Sequence, residues 1–414
     1  MITRPQLRLR LRALANADWA IAENSVVTRE LRSRPQGGFD VSEARSQQFT
    51  VTLHRDLPLG RGSAQASFGC EAINSDAAID RVAQACNEQI RPPWRMLPPS
   101  AAAQVRLADP ALREPTRIDA AARALDTALR ALTGAELQWS LRTEAHQDVV
   151  ETSTDNAIKW ASTRIAVAVR ARIGAHWLGV TRLARQLSEL QLATLADELQ
   201  TEITALAHAS ATPRGTMAIV LDQTAMLFDG DLGIWQALAD HASVHRLARG
   251  ITRLNNVRAS ALRISSDGAR NFGWHSAPVE ADGAAVRHFA IYSNGTVGTR
   301  SSNLADAAAA NLVGNGAIRN IEASDTGPTW QPPTEWLEIH RFTRPQFDNT
   351  TGVLTAAIGR ATLHQVAKTT TVAGGAVRLD LVQLLHAGRL IGDAVQTAAY
   401  RGAGQLFVGT APIY

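Results

Sequence analysis

The chain has 414 residues, of which 45% are hydrophobic and 19% are charged, and its net charge is +4. This length favours two domains, and this composition excludes global disorder. The small net charge and an aromatic content of 5% argue against a nucleic-acid partner, because single-strand-binding surfaces combine a basic groove with stacking aromatic side chains.

Cysteine content and the N-terminal sequence indicate the compartment. Cys70 and Cys86 are the only cysteines, which excludes a disulfide framework and a four-cysteine zinc site. The first 20 residues, MITRPQLRLRLRALANADWA, contain no apolar segment long enough for a signal peptide or a bilayer span. We therefore predict a cytoplasmic protein with two reduced thiols and no membrane partner.

The first half of the chain alternates predicted helices with predicted strands. Helices are predicted over 5–22, 73–90, 118–134 and most of 176–209, and strands over 26–34, 46–56, 61–69, 136–154 and 163–174. Within 136–154 we expect two strands joined by a turn, and the proline-rich segment 91–100 predicts a linker. These elements predict an α/β N-terminal domain over residues 1–210, built of two helix–strand halves.

The second half is richer in strands. The sequence ATPRG (211–215) interrupts the pattern, a buried strand is predicted over 217–221, and a helix follows over 231–250. Short strands and glycine turns continue to a helix predicted over 379–388, before a terminal strand. The sequence therefore predicts a mixed α+β protein whose strand-rich C-terminal domain covers residues 211–414.

Three motifs follow one another in this second half: DGAAVRH (282–288), GNGAIRN (314–320) and FDNTTG (347–352). Their order resembles the C-terminal half of the TldD/PmbA family, long labelled "modulator of DNA gyrase" and associated with a two-subunit zinc peptidase. The segments DWAIAE and MAIVLDQTAMLF also stand in family order. The resemblance implies an α/β N-terminal domain joined to a C-terminal domain with an antiparallel barrel-like sheet and flanking helices.

The metal motif of the family is missing from the sequence. Its catalytic subunits carry HExxxH on a helix, together with a further histidine and a cysteine near the C-terminus, and the glutamate activates a zinc-bound water. Residues 240–245 read DHASVH, so only His245 matches a ligand and no glutamate is present. The resemblance therefore implies a metal-free PmbA-like or TldE-like subunit, whose TldD-like partner would carry the zinc.

Two histidine pairs are candidates for chemistry of the chain's own. His241 and His245 are four residues apart on a predicted helix and share one face, where they could hold a metal or simply meet solvent or a partner. His340 and His364 are predicted on successive strands around the FDNTTG turn. Side by side they could bind metal or act as acid and base, and the alternative is sheet packing and surface hydrogen bonding.

One glycine-rich turn is a candidate for substrate binding. Asn315 stands between Gly314 and Gly316, and Arg319 follows. Glycine lets backbone N–H groups approach a ligand, and arginine can clamp a carboxylate. The segment is predicted either as a substrate-lining loop or as a tight turn with a surface arginine.

These observations lead to one main hypothesis and two alternatives. The main hypothesis is a non-metal-binding subunit of a TldD/TldE-type heterodimeric zinc metallopeptidase that acts on unfolded or modified peptides, with natural-product maturation as one role. The first alternative is a diverged hydrolase with its own histidine-based site. The second is a non-catalytic homodimeric binding scaffold.

Overall fold

A computed structural model describes residues 2–71, 75–88, 90–91, 102–154, 157–228, 230–241, 261–293, 295–298, 316–348 and 350–414. Within these ranges the chain forms two β-sheets and seven α-helices. No helix in the described part of the chain is long and apolar enough to cross a lipid bilayer.

The first sheet belongs to the N-terminal half. Its strands are β1 (Ala17–Ser33), β2 (Phe39–Leu57), β3 (Gly60–Gly69), β4 (Ile90–Arg91), β5 (Glu136–Thr152), β6 (Ala157–Ile173) and β7 (His176–Ala184). They lie in the order β4-β3-β2-β1-β5-β6-β7, and every neighbouring pair is antiparallel. The sheet curls into a half-barrel, which gives it two unlike faces.

Four helices cover one face of this sheet. They are α1 (Arg4–Arg12), α2 (Ser75–Ala85), α3 (Pro115–Arg130) and α4 (Leu192–Ala207). Apolar side chains at every second strand position, such as Phe49, Val51 and Leu53, are fully buried beneath them. Residues at the intervening positions, among them Asn24 and His146, therefore point to the other face, which is turned towards the C-terminal half.

The second sheet contains the remaining described strands. They are β8 (Ser210–Ala211), β9 (Gly215–Asp222), β10 (Leu262–Asp267), β11 (His288–Ser293), β12 (Thr296–Val297), β13 (Asn320–Asp325), β14 (Glu335–Asp348), β15 (Val353–Gln365), β16 (Lys368–Ala373), β17 (Ala376–Asp380), β18 (Arg389–Gln396) and β19 (Tyr400–Ile413). The main path is β12-β11-β10-β13-β19-β9-β14-β15-β16-β8. Three pairs are parallel, namely β13 with β19, β9 with β14 and β8 with β16.

Three helices accompany the second sheet: α5 (Gln223–Leu227), α6 (Ile234–His241) and α7 (Leu381–Ala387). Their apolar faces join the sheet in one large buried cluster. At its centre Trp235 of α6 stacks on Tyr400 of β19, with ring centroids 6.1 Å apart and an interplanar angle of 4°. This core is separate from the two clusters that pack the first sheet against its own helices.

The mixed α+β fold predicted from the sequence is confirmed. The antiparallel barrel-like sheet expected in the C-terminal half contains the three parallel pairs as well, because strands distant in the chain meet there. The division of the chain at residues 210 and 211 stays a prediction, and β8 consists of these two residues.

Three element predictions within the first half were wrong. The helix predicted over 5–22 ends at Arg12, and β1 begins at Ala17 because Trp19 and Ile21 alternate towards the core. The helix predicted over 176–209 is β7 followed by α4. The paired strands predicted over 136–154 form one uninterrupted strand, β5, which pairs along its length with β6.

Candidate functional site

The histidine row is a group of five polar residues on one face of the second sheet: Asp222, His340, Thr362, Glu338 and His364. The opposite face of β14 and β15 carries core side chains. Asp222 ends β9 and caps α5, since its Oδ1 accepts the Ala225 N–H at 2.9 Å. Its Oδ2 lies 2.7 Å from His340 Nδ1, and His340 Nε2 lies 2.9 Å from Thr362 Oγ1.

The second imidazole of the row has a carboxylate of its own. His364 Nε2 lies 3.0 Å from Glu338 Oε2, and the ring stacks on Trp336 with centroids 3.7 Å apart. Gln405 donates to the other oxygen of Glu338 at 2.5 Å. His340 and His364 therefore share a face but belong to two separate hydrogen-bond chains, and their catalytic role stays a prediction.

Two predicted site residues cannot be placed. His245 and Asn315 lie outside the described residues, and His241 is the last residue of α6. The described part of the chain contains no group of three histidine, cysteine, aspartate or glutamate side chains that could hold a metal ion. Metal binding by the pair His241 and His245 and ligand binding by Asn315 stay predictions.

Arg319 is engaged by a carboxylate of the chain itself. Its Nη2 and Nε donate to the two oxygens of Glu280 at 2.5 and 3.2 Å, and its Nη1 donates to the His275 carbonyl at 2.7 Å. Gly316 has φ +74°, and a Cβ there would lie 2.4 Å from Glu280 Oε1. Gly316, Ala317 and Arg319 thus all lie against Glu280, and a ligand role for Arg319 stays a prediction.

Arg319 also lines a cavity of about 350 Å³, which we call the arginine cleft. Its floor is the face of the first sheet that the helices leave uncovered. Its opposite wall comes from Arg185, from residues 276–281 and from Arg319. Arg164 of β6 completes the group of three arginines for which the cleft is named.

Arg185 is held in the cleft wall by backbone carbonyls. Its guanidinium donates to the carbonyls of Gly273, Trp274, Ser276 and Thr163 at 2.7, 2.9, 3.2 and 3.4 Å. The residue is only 2% exposed. Burial and the neighbouring charge of Arg164 lower the pKa of Arg185, because the charged form is disfavoured there.

The floor of the cleft carries a hydrogen-bonded chain of side chains. Asn24 Nδ2 donates to Asp148 and lies 3.2 Å from His146 Nδ1, and His146 Nε2 lies 3.0 Å from Glu144 Oε2. The hydrogen bond from His146 lowers the pKa of Glu144, whereas burial raises that of Asp148. Glu144, beside the cleft, is therefore held ionised, and Asp148, which lines the cleft, is pushed towards its neutral form.

The residues of this floor were missed by the sequence reasoning. Glu144, His146 and Asp148 alternate with other residues, which is the period of a strand that exposes one polar face. The turn predicted within 136–154 was placed near residues 144–147, and this placement concealed the period of the strand. The uninterrupted strand β5 brings all three side chains to the same side.

A larger cavity of about 610 Å³ lies beside β7. It is lined by residues 180–183 of β7 and by side chains of α4 and α5. Three charged residues of its lining form ion pairs, since Arg182 bonds Glu198 and Glu202 bonds Arg360. β7 is the end strand of the first sheet, so this cavity follows a sheet edge.

Three solved structures share this fold along their whole length. A candidate modulator of a DNA gyrase from Thermotoga maritima superposes with a TM-score of 0.78 at 13% identity, covering 100% of both chains. A candidate modulator of DNA gyrase from Bacteroides thetaiotaomicron gives 0.76 at 14%, covering 100% of this chain and 99% of that one. TldE from Thermococcus kodakarensis gives 0.73 at 12%, covering 99% of each.

No protein-family model and no curated protein matches the sequence. At identities of 12 to 14% the structural likeness establishes the fold. The resemblance proposed from the three glycine-rich motifs is therefore confirmed at the level of the fold.

Proposed function

We propose that the chain is a member of the TldD/PmbA family and serves as the metal-free, TldE-like subunit of a heterodimeric zinc metallopeptidase. The observation that carries this proposal is the likeness to TldE from Thermococcus kodakarensis along 99% of both chains. The sequence DHASVH at 240–245 supports the metal-free assignment, because it lacks both the first histidine and the glutamate of HExxxH.

The proposed task of the chain is to hold unfolded or modified peptide against the partner's zinc. Strand addition to a sheet edge would bind peptide through backbone hydrogen bonds, with little dependence on sequence. The cavity of about 610 Å³ along β7 supports this mode, since it offers polar walls next to a strand whose outer edge pairs with no other described strand. A cytoplasmic complex of this kind could act in natural-product maturation.

The proposal is tested by reconstitution with a TldD-like chain that carries HExxxH. We expect the two purified chains to form a one-to-one complex by light scattering, with one zinc ion per complex by elemental analysis. We also expect peptidase activity on an unfolded peptide from the complex and not from either chain alone.

Matched alanine variants of the two chains test which chain binds the zinc. His241→Ala and His245→Ala in this chain should leave the zinc content of the complex unchanged, while alanine at the first histidine of the partner motif should abolish it. Stoichiometric zinc in this chain alone, or loss of zinc with His245→Ala, would show that the assignment of subunits is wrong.

One observation favours a second candidate function, a hydrolase with its own histidine-based site. Asp222, His340 and Thr362 form a carboxylate–imidazole–hydroxyl chain with distances of 2.7 and 2.9 Å. A base oriented by a carboxylate can activate a hydroxyl as a nucleophile. Hydrolysis of an activated ester by the isolated chain, lost in Thr362→Val and kept in Thr371→Val, would support this alternative over the first.

A further inference from the structure

Arg164 is a partly buried cation that forms no ion pair with a carboxylate among the described residues. Among the described residues its only hydrogen bond runs from Nη2 to the Trp274 carbonyl at 3.4 Å, and its Nε is buried and unbonded. The guanidinium carbon lies 5.0 Å from the centroid of the Trp274 ring. An aromatic face attracts a cation but does not neutralise it, so Trp274 does not replace a hydrogen-bonded carboxylate.

The other charges in the arginine cleft do not supply the missing anion. Arg185 is bonded only to carbonyls, and Arg319 already occupies both oxygens of Glu280. Burial lowers the pKa of Arg164, and Glu144, Asp148 and Asp231 oppose this through space, without an ion pair to it among the described residues. Arg164 is therefore the arginine of the cleft whose donors are least used, since Arg319 is bonded to a carboxylate and Arg185 to several carbonyls.

The cleft is shaped for a small ligand. Its volume of about 350 Å³ is at the lower end of ligand pockets, which span about 300–1,000 Å³. Asn24, Ser162 and Thr50 add polar groups to the lining, and Trp160 and Val150 add apolar surface. Such a cavity accepts the end of a chain more readily than an extended peptide that continues in both directions.

We propose that the arginine cleft binds the terminal carboxylate of a short peptide, with Arg164 as the residue that contacts it. A planar guanidinium matches a carboxylate in geometry and charge, and the apolar lining receives the last side chain. All residues of the cleft belong to this chain, so the isolated chain should bind the carboxylate whether or not a zinc-bearing partner exists.

The proposal is tested by titration calorimetry with two probes that differ in one group. Acetyl-Ala-Ala has a free carboxylate, and acetyl-Ala-Ala-amide does not. We expect the acid to bind the isolated protein and to raise its Tm, and the amide to do neither. Arg164→Gln should weaken binding of the acid at least tenfold, as expected for loss of charged hydrogen bonds.

Two further variants separate recognition from folding. Arg117→Gln is the control, because Arg117 of α3 is exposed and paired with Glu114. This variant should bind the acid as the unmodified protein does. Asn24→Asp keeps the size of the side chain but adds a carboxylate next to Asp148, so it should weaken binding by repulsion. A thermal melt of each variant establishes that it is folded.

Three results would overturn the proposal. One is equal binding of the acid and the amide. Another is unchanged affinity in both Arg164→Gln and Asn24→Asp. The third is tighter binding of inorganic phosphate than of acetyl-Ala-Ala, which would assign the cleft to a different anion. None of these results bears on whether the chain pairs with a TldD-like subunit, because no partner is present.

Discussion

The histidine row and the arginine cleft are both polar clusters on sheet faces, yet they differ in how their charges are balanced. In the row, each imidazole is hydrogen-bonded to a carboxylate, His340 to Asp222 and His364 to Glu338. In the cleft, Arg185 meets only carbonyls and Arg164 meets an aromatic ring. The row is complete within the chain, whereas the cleft is complete only with an added anion.

The origin of the two clusters explains this difference. The row comes from adjacent strands of one sheet, where hydrogen-bond partners are set by strand register. The cleft is assembled from the first sheet and from loops of the C-terminal half, which meet across a gap. Charged side chains that line a cavity can remain available to a ligand, whereas those on adjacent strands form hydrogen bonds with their cross-strand neighbours.

The largest effect is expected where the cleft does contain a buried ion pair. Glu280→Gln leaves the Arg319 guanidinium without a charged partner and should destabilise the protein by about 3–5 kcal/mol. Urea denaturation measures this change. The double variant Glu280→Leu with Arg319→Met should recover much of the loss, because it removes both charges together.

If the double variant recovers none of the lost stability, the unpaired charge of Arg319 is not the cause of the loss. It would mean that the turn at Gly316 depends on the shape of Glu280 and not on its charge. In that case the comparison between paired and unpaired arginines would have to rest on Arg185 and Arg164 alone.

A second effect concerns a histidine whose environment is dominated by burial. His54 on β2 is 1% exposed and lies 2.9 Å from Ser63 Oγ through its Nδ1. Burial first, and the charge of Arg61 second, lower the pKa of His54 from 6.5 to about 4, and Asp18 acts in the opposite direction. The folded protein therefore keeps this imidazole neutral at pH values where the unfolded chain takes up a proton.

The sign of the pH dependence follows. The contribution of His54 to the free energy of unfolding is fully present above pH 6.5. It is lost as the pH decreases from 6.5 to about 4, which lowers the free energy of unfolding by about 3 kcal/mol. The free energy of unfolding measured at several pH values should show this fall, and His54→Gln should flatten it. His288→Gln is the control, because this side chain is 58% exposed. It should leave the pH dependence of the free energy of unfolding unchanged.

The fold class and most of the element order were predictable from the sequence. The helices wrongly predicted at 17–22 and 176–184 have a common physical origin. The segments at 17–22 and 176–184 contain apolar residues that suit either a helix or a strand over short stretches. Pairing of β1 with β2 and β5, and of β7 with β6, decided the outcome. Such long-range pairing is not visible in a local pattern.

The candidate sites were predictable only in part for the same reason. The shared sheet face of His340 and His364 followed from their places around one turn. The cleft could not be found, because Arg185 and Ser276 are 91 positions apart in the chain before folding brings them together. Asp222 was likewise unrecognised as the partner of His340.

A third and smaller effect tests whether the histidine row is self-contained. Thr362→Val removes the hydroxyl that lies 2.9 Å from His340 Nε2 and keeps the shape of the side chain. We expect a loss of about 1 kcal/mol in urea denaturation, the usual value for one hydrogen bond. Binding of acetyl-Ala-Ala should be unchanged, since the row and the cleft share no residue. A loss of peptide binding would mean that the two clusters are coupled.

The smallest effect is expected at the unpaired arginine and gives the sharpest test of the comparison. Arg164→Gln removes a partly buried charge that forms no ion pair among the described residues, so the free energy of unfolding should stay within about 0.5 kcal/mol or increase. Glu280→Gln, behind Arg319 of the cleft, and Arg164→Gln, in its lining, thus change one charge each with opposite consequences. A loss above about 2 kcal/mol for Arg164→Gln would show that its stacking on Trp274 stabilises the fold. The arginine would then be explained by packing, and its uncompensated charge would no longer require a ligand.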